Sequence, residues 1–366
     1  MKNRNLQIVV FAGLLVLSGC NLKKGNEPAA KEVIPDEHFN SIFMGECYGF
    51  TGGDGTYSVE LPDGRNIWIF GDTFIGGIGP DNTRKPQVPR FVRNSVVVQD
   101  GDSIRTLIQQ RNGVNASFAI PPPEKPGMEV NEDSTWFWPG DGYIENEELK
   151  IFYSEFMQTD TGMWDFKWMG TWIGSYELPG LEEIKLEKLN GNDTPVHFGH
   201  AVYAGKDYTY IYGRGDGKLH AARYKTGSYQ NPWEYYSGEG WSSNIKNAAP
   251  MEDVDGSEQF SVFRIKDTYV LLSQLGWFSP DICSWTSDTP FGPWSNKQLL
   301  YSTPLPDQPH NLFTYNAVAH PQFMKGGMLL VSYNTNSTVL GDHFRDAGIY
   351  RPRFIRIPLQ FIDPTF

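Results

Sequence analysis

At 366 residues, with 31 Lys and Arg against 43 Asp and Glu, the chain carries a formal charge of −12. That balance argues against nucleic acid and anionic lipid headgroups as partners, since both select basic surfaces. Aromatic residues make up 14% of the chain alongside 38 Gly and 25 Pro, and short apolar runs alternate with Gly/Asp/Asn/Pro turns, which points to an all-β protein with one large core.

At the N-terminus, Lys2 and Arg4 precede an apolar run from Ile8 to Leu17, followed by Ser18-Gly19-Cys20. The run has the charge and length of a secretory signal and is too short for a stable membrane span. Its ending resembles the bacterial lipobox, which implies cleavage before Cys20 and lipidation of the Cys20 thiol. An ordinary signal that happens to end in Cys is the alternative. The expected location is the bacterial cell envelope, with the protein lipid-anchored in the periplasm or on the outer surface. Residues 21–40 read as a flexible polar tether and residues 41–366 as the folded domain. Beyond Cys20 only Cys47 and Cys283 remain. They allow one disulfide or two buried thiols, but no metal-site spacing.

From there one plan recurs five times. A polar residue leads into a short strand, a turn and a second apolar strand. Asp54, Asp141, His200, Glu258 and Asn316 lead the repeats, at spacings of 87, 59, 58 and 58 positions. Repeats of this size built of short strands predict a five-bladed β-propeller. Even LEEIKLEKLNG, the most helix-like stretch, reads as an outer blade strand. The second strands turn polar at Asp72, Glu155, Arg214, Gln274 and Asn334. Starts of first strands and ends of second strands are cross-strand neighbours, so these ten residues should crowd one axial mouth. Gly-Asp-Gly taken alone is also a good turn tripeptide. Ionisable residues gathered in a low-dielectric funnel are costly unless they have work to do.

Paired carboxyl groups suit glycoside hydrolysis, which needs one protonated and one ionised acid about the scissile bond. Asp54 is the expected base or nucleophile and Asp72 the acid, with Glu258 the competing acid. Asp141 and Glu155 are expected to tune these groups or hold sugar hydroxyls, and His200 and Arg214 to bind substrate or set charge. Gln274 and Asn316 complete the polar ring. Trp138 and Trp277 are the candidate sugar platforms, with Trp136, Phe278 and Tyr315 nearby. The Gly/Pro-rich insertion after Asp72, carrying Arg84, Arg90 and Arg93, reads as a loop over the same face. The chain has no Gly-x-Ser-x-Gly elbow, phosphate loop, dinucleotide fingerprint or His-Glu-x-x-His. No cofactor is required, although His200 and Asn316 with waters could hold an axial Ca²⁺.

GGDGTYSVELPDGRNIWIFGDTFIG at the first repeat, RNSVVV at Arg93–Val98, CSWTSDTPFGPWS at Cys283–Ser295 and TYNAVAHPQF at Thr314–Phe323 resemble a bacterial family of five-bladed propellers long of unknown function. Relatives of that family are endo-acting D-arabinofuranosidases, and arabinanase and fructosidase propellers are more distantly similar. The resemblance spans nearly the whole mature chain. It implies a catalytic pair in the first blade, matched here by Asp54 and Asp72, and a substrate-reaching polar pair matched by Arg93 and Asn94. Arabinanase-type propellers carry an acid Glu on the third blade where this chain has His200, so that triad does not transfer. A lipid-anchored, monomeric hydrolase of polysaccharide or oligosaccharide is the expectation. A non-catalytic glycan-binding propeller lipoprotein is the alternative, and a protein-interaction propeller would instead present an apolar funnel.

Overall fold

The computed structural model describes residues 32–44, 49–85, 90–123, 125–162, 164–276, 279–304 and 311–366. The signal, Cys20, Cys47, Trp277 and Phe278 lie outside them. Five antiparallel sheets form the predicted five-bladed propeller. Blade I runs Tyr57–Glu60, Asn66–Phe70, Ser95–Asp100 and Ser103–Leu107, and blade II Thr135–Glu145, Glu148–Gln158, Phe166–Glu177 and Glu183–Gly191. The last of these is the LEEIKLEKLNG stretch, an outer strand as expected. Blade III is built on His197–Ala204, Tyr208–Gly215 and Lys218–Lys225, and blade IV on Phe260–Ile265, Thr268–Gln274, Asp281–Ser287 and Ser295–Ser302. Blade V contains Leu312–Lys325, Met328–Ser337 and Pro352–Pro358.

The fourth strand of blade V comes from the other end of the chain. Ile34 pairs with Arg356 and Pro35 with Ile355, antiparallel, which closes the ring. Pro35 suits an edge strand because it has no N–H to leave unpaired. The backbone N–H of Asp36 donates to Phe354 O at 2.8 Å, and Arg356 Nε meets Asp36 Oδ2 at 2.6 Å. Helix Glu37–Met44 then lays Phe39, Ile42 and Phe43 against Trp68, Phe70 and Phe354 in the seam between blades I and V. The expected tether over 21–40 is therefore corrected: residues 34–40 are folded. A three-strand last blade would leave an open edge, and this polar-looking segment supplies the missing backbone partners.

Other clusters fill the remaining seams. Ile69 and Val96 meet Phe137 and Ile151 between blades I and II, and Phe152 meets Phe198 and Ile211 between II and III. Tyr212 meets Phe260 and Trp285 between III and IV, and Leu272 meets Val331 between IV and V. Cys283 is a free, buried thiol in the III/IV seam. No helix among the described residues is long and apolar enough to cross a membrane.

The leading polar residues do not start their strands in three of the blades. The innermost strands of blades II, III and V begin earlier, at Thr135, His197 and Leu312, and bulge at Pro139/Gly142, Phe198/Ala201 and Tyr315/Val318. Asp141, His200 and Asn316 occupy those bulges. In blades I and IV the strand is interrupted instead, with Asp54 and Glu258 just ahead of Tyr57–Glu60 and Phe260–Ile265. A bulge or break frees a residue from the ladder and re-aims its side chain. The five-fold polar plan is thus a plan of interruptions close to the axis.

Candidate active site

A cavity of about 1590 Å³ opens on one face and reaches Asp54, Asp72, His200, Glu258 and Asn316. Asp54 lies in a turn shaped by Gly55 at φ 93° and Thr56 at φ 50°. Its carbonyl accepts from Gly71 N at 2.7 Å, which brings it beside the residue preceding Asp72. A Cβ at Gly71 would stand 2.5 Å from Asp54 Oδ1, so only glycine lets the carboxyl lie there. The turn and the end of the next strand converge, and the two acids interact electrostatically.

Their surroundings differ. Tyr315 donates its hydroxyl to Asp54 Oδ2 at 2.7 Å, and the Tyr350 hydroxyl also bonds this carboxyl. Asn336 Nδ2 supports Tyr315 from behind at 2.9 Å, and Asn336 Oδ1 lies 2.7 Å from His343 Nε2. Asp72 instead accepts from Trp138 Nε1 at 2.8 Å and faces Arg93 Nη1 at 3.6 Å. Arg93 is held over the Trp136 ring, 4.1 Å from its centroid, and donates through Nε to Glu132 O. Burial, helped by the charge of Asp72, pushes the Asp54 carboxyl up to about 7 against the tyrosine hydrogen bonds. Burial also raises Asp72, but the Arg93 guanidinium and the Trp138 N–H work the other way. Asp72 is the member of the pair favoured to be the anion, and Asp54 the one favoured to keep a proton.

The rest of the expected ring divides. Glu258 lines the cavity within a charged group: Arg214 Nε stands 3.4 Å from Oε1, and His200 Nδ1 lies 3.6 Å from Oε2 and 2.6 Å from the Glu258 backbone oxygen. Arg214 also caps the carbonyls of Gly256 and Gly217, so it reaches the site only through Glu258. Asp141 accepts from Gly142 N and Val202 N, each at 2.8 Å, and ties blade II to blade III. Burial pushes it up to about 7, yet it does not line the cavity. Asn94 and Gln274 are buried and committed, Asn94 to Ala119 and Phe137 and Gln274 to Ser279 and Thr314. Asn334 bonds Gly53 O and Thr56 in the seam between blades V and I.

Glu155 turns away, accepting from Trp172 Nε1 at 2.8 Å and Lys188 Nζ at 2.7 Å. Its neighbours Ser154 and Phe156 line the cavity instead. Strand side chains alternate between faces, so the one-residue difference decides which side chain the site receives. Arg84 is likewise not on the open face. It is buried, donating to the carbonyls of Thr51, His343, Ala347 and Ile349, and so holds the loop that carries His343 and Tyr350. Arg90 and Trp138 line the cavity. Tyr350, Asn336, His343 and His197 were missed from sequence because they fall outside the repeat phase used to find the ring.

The donors suit an axial Ca²⁺ poorly. One ligand atom each from His197, His200 and Glu258 lies within 4.8 Å of the others, and His200 Nε2 is buried without a partner. Two imidazoles and one carboxylate are a nitrogen-rich set, whereas Ca²⁺ takes six to eight oxygens. Burial lowers both histidines, keeping them neutral.

Ring closure, five blades and a funnel holding two neighbouring acids among aromatic rings define a five-bladed β-propeller with an acidic, aromatic-lined axial cavity. Residues 36–359 match the family described as Domain of unknown function (DUF5005), and the chain belongs to it. It is similar in structure to a Bacteroides ovatus ATCC 8483 protein provisionally described as a hydrolase, at 25% identity and TM-score 0.75, covering 89% of this chain and 90% of that one. It also resembles a xylan β-1,4-xylosidase from Bacillus halodurans C-125, at 12% identity and TM-score 0.50, over 85% of this chain and 53% of that one. A GH43 protein from Bacillus licheniformis is matched at 10% identity and TM-score 0.50, over 89% and 54%. These two share the propeller fold, and this chain spans about half their length. No curated protein matches significantly in sequence.

Proposed function

We propose that this protein hydrolyses glycosidic bonds of a neutral polysaccharide or oligosaccharide, with Asp54 as the acid and Asp72 as the carboxylate. The observation that carries this is the asymmetry of the pair: one acid held by tyrosine hydroxyls and raised to about 7, its neighbour facing an arginine. This reverses the roles expected from strand order, because environment and not depth in the blade sets which acid keeps its proton. Asp54 would give its proton to the glycosidic oxygen as the C–O bond breaks. Asp72 would stabilise the developing positive charge at the anomeric carbon and attack it, directly or through a water. If Asp72 attacks directly, water then cleaves the glycosyl–Asp72 ester and gives its proton to Asp54; if Asp72 activates a water, that proton goes to Asp72 and the two acids regain their starting states by exchange with solvent. The aromatic rings of Trp138 and Phe156 offer faces for sugar rings.

Charge narrows the substrate. Among the described lining residues are seven acids, Asp54, Asp72, Glu129, Glu132, Asp133, Asp160 and Glu258, against Arg90, Arg93 and Arg111. Such a field disfavours uronate-rich chains. D-Arabinan is the first substrate to try, on the strength of the family resemblance at Gly52–Gly76. Residues 1–20 support a lipid anchor at Cys20 in the cell envelope, and closed blades support a monomer.

The test is reducing-end release by residues 21–366, which lack the signal and Cys20, on D-arabinan, L-arabinan, xylan and galactan, beside Asp54→Asn and Asp72→Asn. Release by wild type and its loss in both variants is the expected outcome. Binding without release would turn the reading to a non-catalytic glycan receptor.

A further inference from the structure

An aromatic wall leads out of the cavity along blade II. Trp138, whose indole holds Asp72, meets Phe166 edge-on at 5.0 Å and Phe156 at 4.8 Å. Phe166 in turn meets Trp164 at 6.4 Å. Exposure rises along the wall: Trp136 behind it is 1% exposed, Trp138 and Phe166 are partly covered, and Trp164 is 63% exposed. The fold does not explain Trp164, which belongs to none of the core clusters and sits in the connection between two strands of blade II. Val114 and Met128, also exposed, line the same cavity. Large apolar side chains left in water along one cavity mark a contact surface.

The loop bearing Trp164 is also held in place. Thr159 N and Thr159 Oγ1 both donate to Asp165 O, at 2.7 and 2.8 Å, and Gly162 N donates to Asp165 Oδ2 at 2.8 Å. Gln158 Nε2 ties the carbonyls of Asp160 and Gly162 at 2.7 Å each. An indole flanked by residues bonded in this way binds without a large ordering cost. Asp160 and Thr161, just before it in the chain, line the same cavity. An aromatic face bordered by small polar groups matches a saccharide ring, whose C–H face stacks while its hydroxyls bond at the edge.

Resting on the hydrolase reading above, we propose that Trp164 is a stacking platform for a saccharide unit remote from the cleaved bond, so that the protein selects chains of several units. The Trp164 ring lies two ring contacts beyond Trp138, so the unit it stacks is not the unit at Asp54 and Asp72. At about 1590 Å³ the cavity exceeds the roughly 300–1,000 Å³ usual for one small ligand. It also extends to Leu340 and His343, on blade V's side of Asp54. The acid pair therefore has room for substrate on both flanks, as cleavage within a chain requires.

The experiment compares wild type, Trp164→Ala and Trp164→Phe on whichever of D-arabinan, L-arabinan, xylan and galactan wild type cleaves, and on size-graded oligosaccharides from it. For Trp164→Ala, the rise in KM on the polymer should exceed that on the shortest cleaved oligosaccharide by about two- to tenfold, with kcat little changed. Trp164→Phe should recover most of the difference. A KM change independent of chain length, or none, would overturn the platform while leaving the hydrolase reading intact. If wild type cleaves nothing, affinity electrophoresis of the same proteins on the four glycans decides. Weaker retardation of Trp164→Ala than of wild type supports the platform. Equal retardation, or none for wild type, overturns it.

Discussion

Asp54→Asn should make the folded protein more stable at alkaline pH while removing activity. The Asp54 carboxyl is raised from 3.8 to about 7, chiefly by burial and then by the charge of Asp72. The folded state therefore holds this proton over a pH range where the unfolded chain has lost it. Stability from this group is complete below about pH 4 and declines as pH rises to about 7. At about 1.36 kcal/mol per pH unit, a change of roughly three units is about 4 kcal/mol. Since the pair shares its interaction energy, on the order of 2–4 kcal/mol is expected in the variant's favour at pH 8. Unfolding entropy of about 2.1 cal/mol/K per residue over roughly 330 residues converts this to a rise of about 3–6 °C in Tm. Asparagine keeps an oxygen for Tyr315 and carries no charge to desolvate. Calorimetry of both proteins at pH 4.5 and pH 8 provides the check, with the gain confined to pH 8. An equal Tm difference at the two pH values would refute the reasoning, because the Asp54 charge would then not be disfavoured in the fold. Such a stability gain coupled to lost turnover is the sign of an acid maintained for function.

Arg93→Gln should shift the acidic limb of the kcat/KM profile upward. Asp72 must be ionised to act, and losing the guanidinium lets burial raise it further. An unmoved acidic limb would remove Asp72 from the role of carboxylate. Asp141→Ala should lower stability by about 2–4 kcal/mol in denaturant unfolding at pH 5, where two backbone N–H groups lose their acceptor. Its kcat/KM should stay within about twofold of wild type; lost turnover at unchanged stability would put Asp141 in the chemistry.

The repeat spacing carried the fold, because each blade must reach the axis again after a similar length of chain. The closeness of Asp54 and Asp72 was legible for the same reason, since a strand start and the next strand's end are neighbours in any meander. Three features were not. Glu155 and Ser154 are adjacent in sequence and both polar, and only the register with Trp138 and Phe137 decides that Ser154 faces the cavity. Ile34–Pro35 closes the ring through backbone pairing with Ile355 and Arg356, which no side-chain pattern announces. Arg84 reads as a solvent-facing loop arginine, yet four backbone carbonyls converge on it, and their positions are a tertiary fact.

The division of labour among the five axial residues follows from one geometric device. An interruption near the axis frees a polar side chain from the ladder, but its neighbours decide what the freed group becomes. At Asp141 two amide N–H groups from blades II and III hold the carboxyl, which burial raises as far as Asp54 but which lies off the cavity, and the result is a joint between blades. At Glu258 Arg214 and His200 gather round the carboxyl group and hold it at the cavity wall. At Asp54 the partners are hydroxyls from Tyr315 and Tyr350 and the nearest charge is another acid, so the carboxyl is left with a proton to give. Gly71 makes that last outcome attainable, since any larger residue there would push Asp54 away from the strand end carrying Asp72. Chemistry in this propeller thus resides at the interruption whose raised acid also faces the cavity and a second carboxyl group. A positive charge placed beside Asp54 should therefore favour its ionised form and cost turnover.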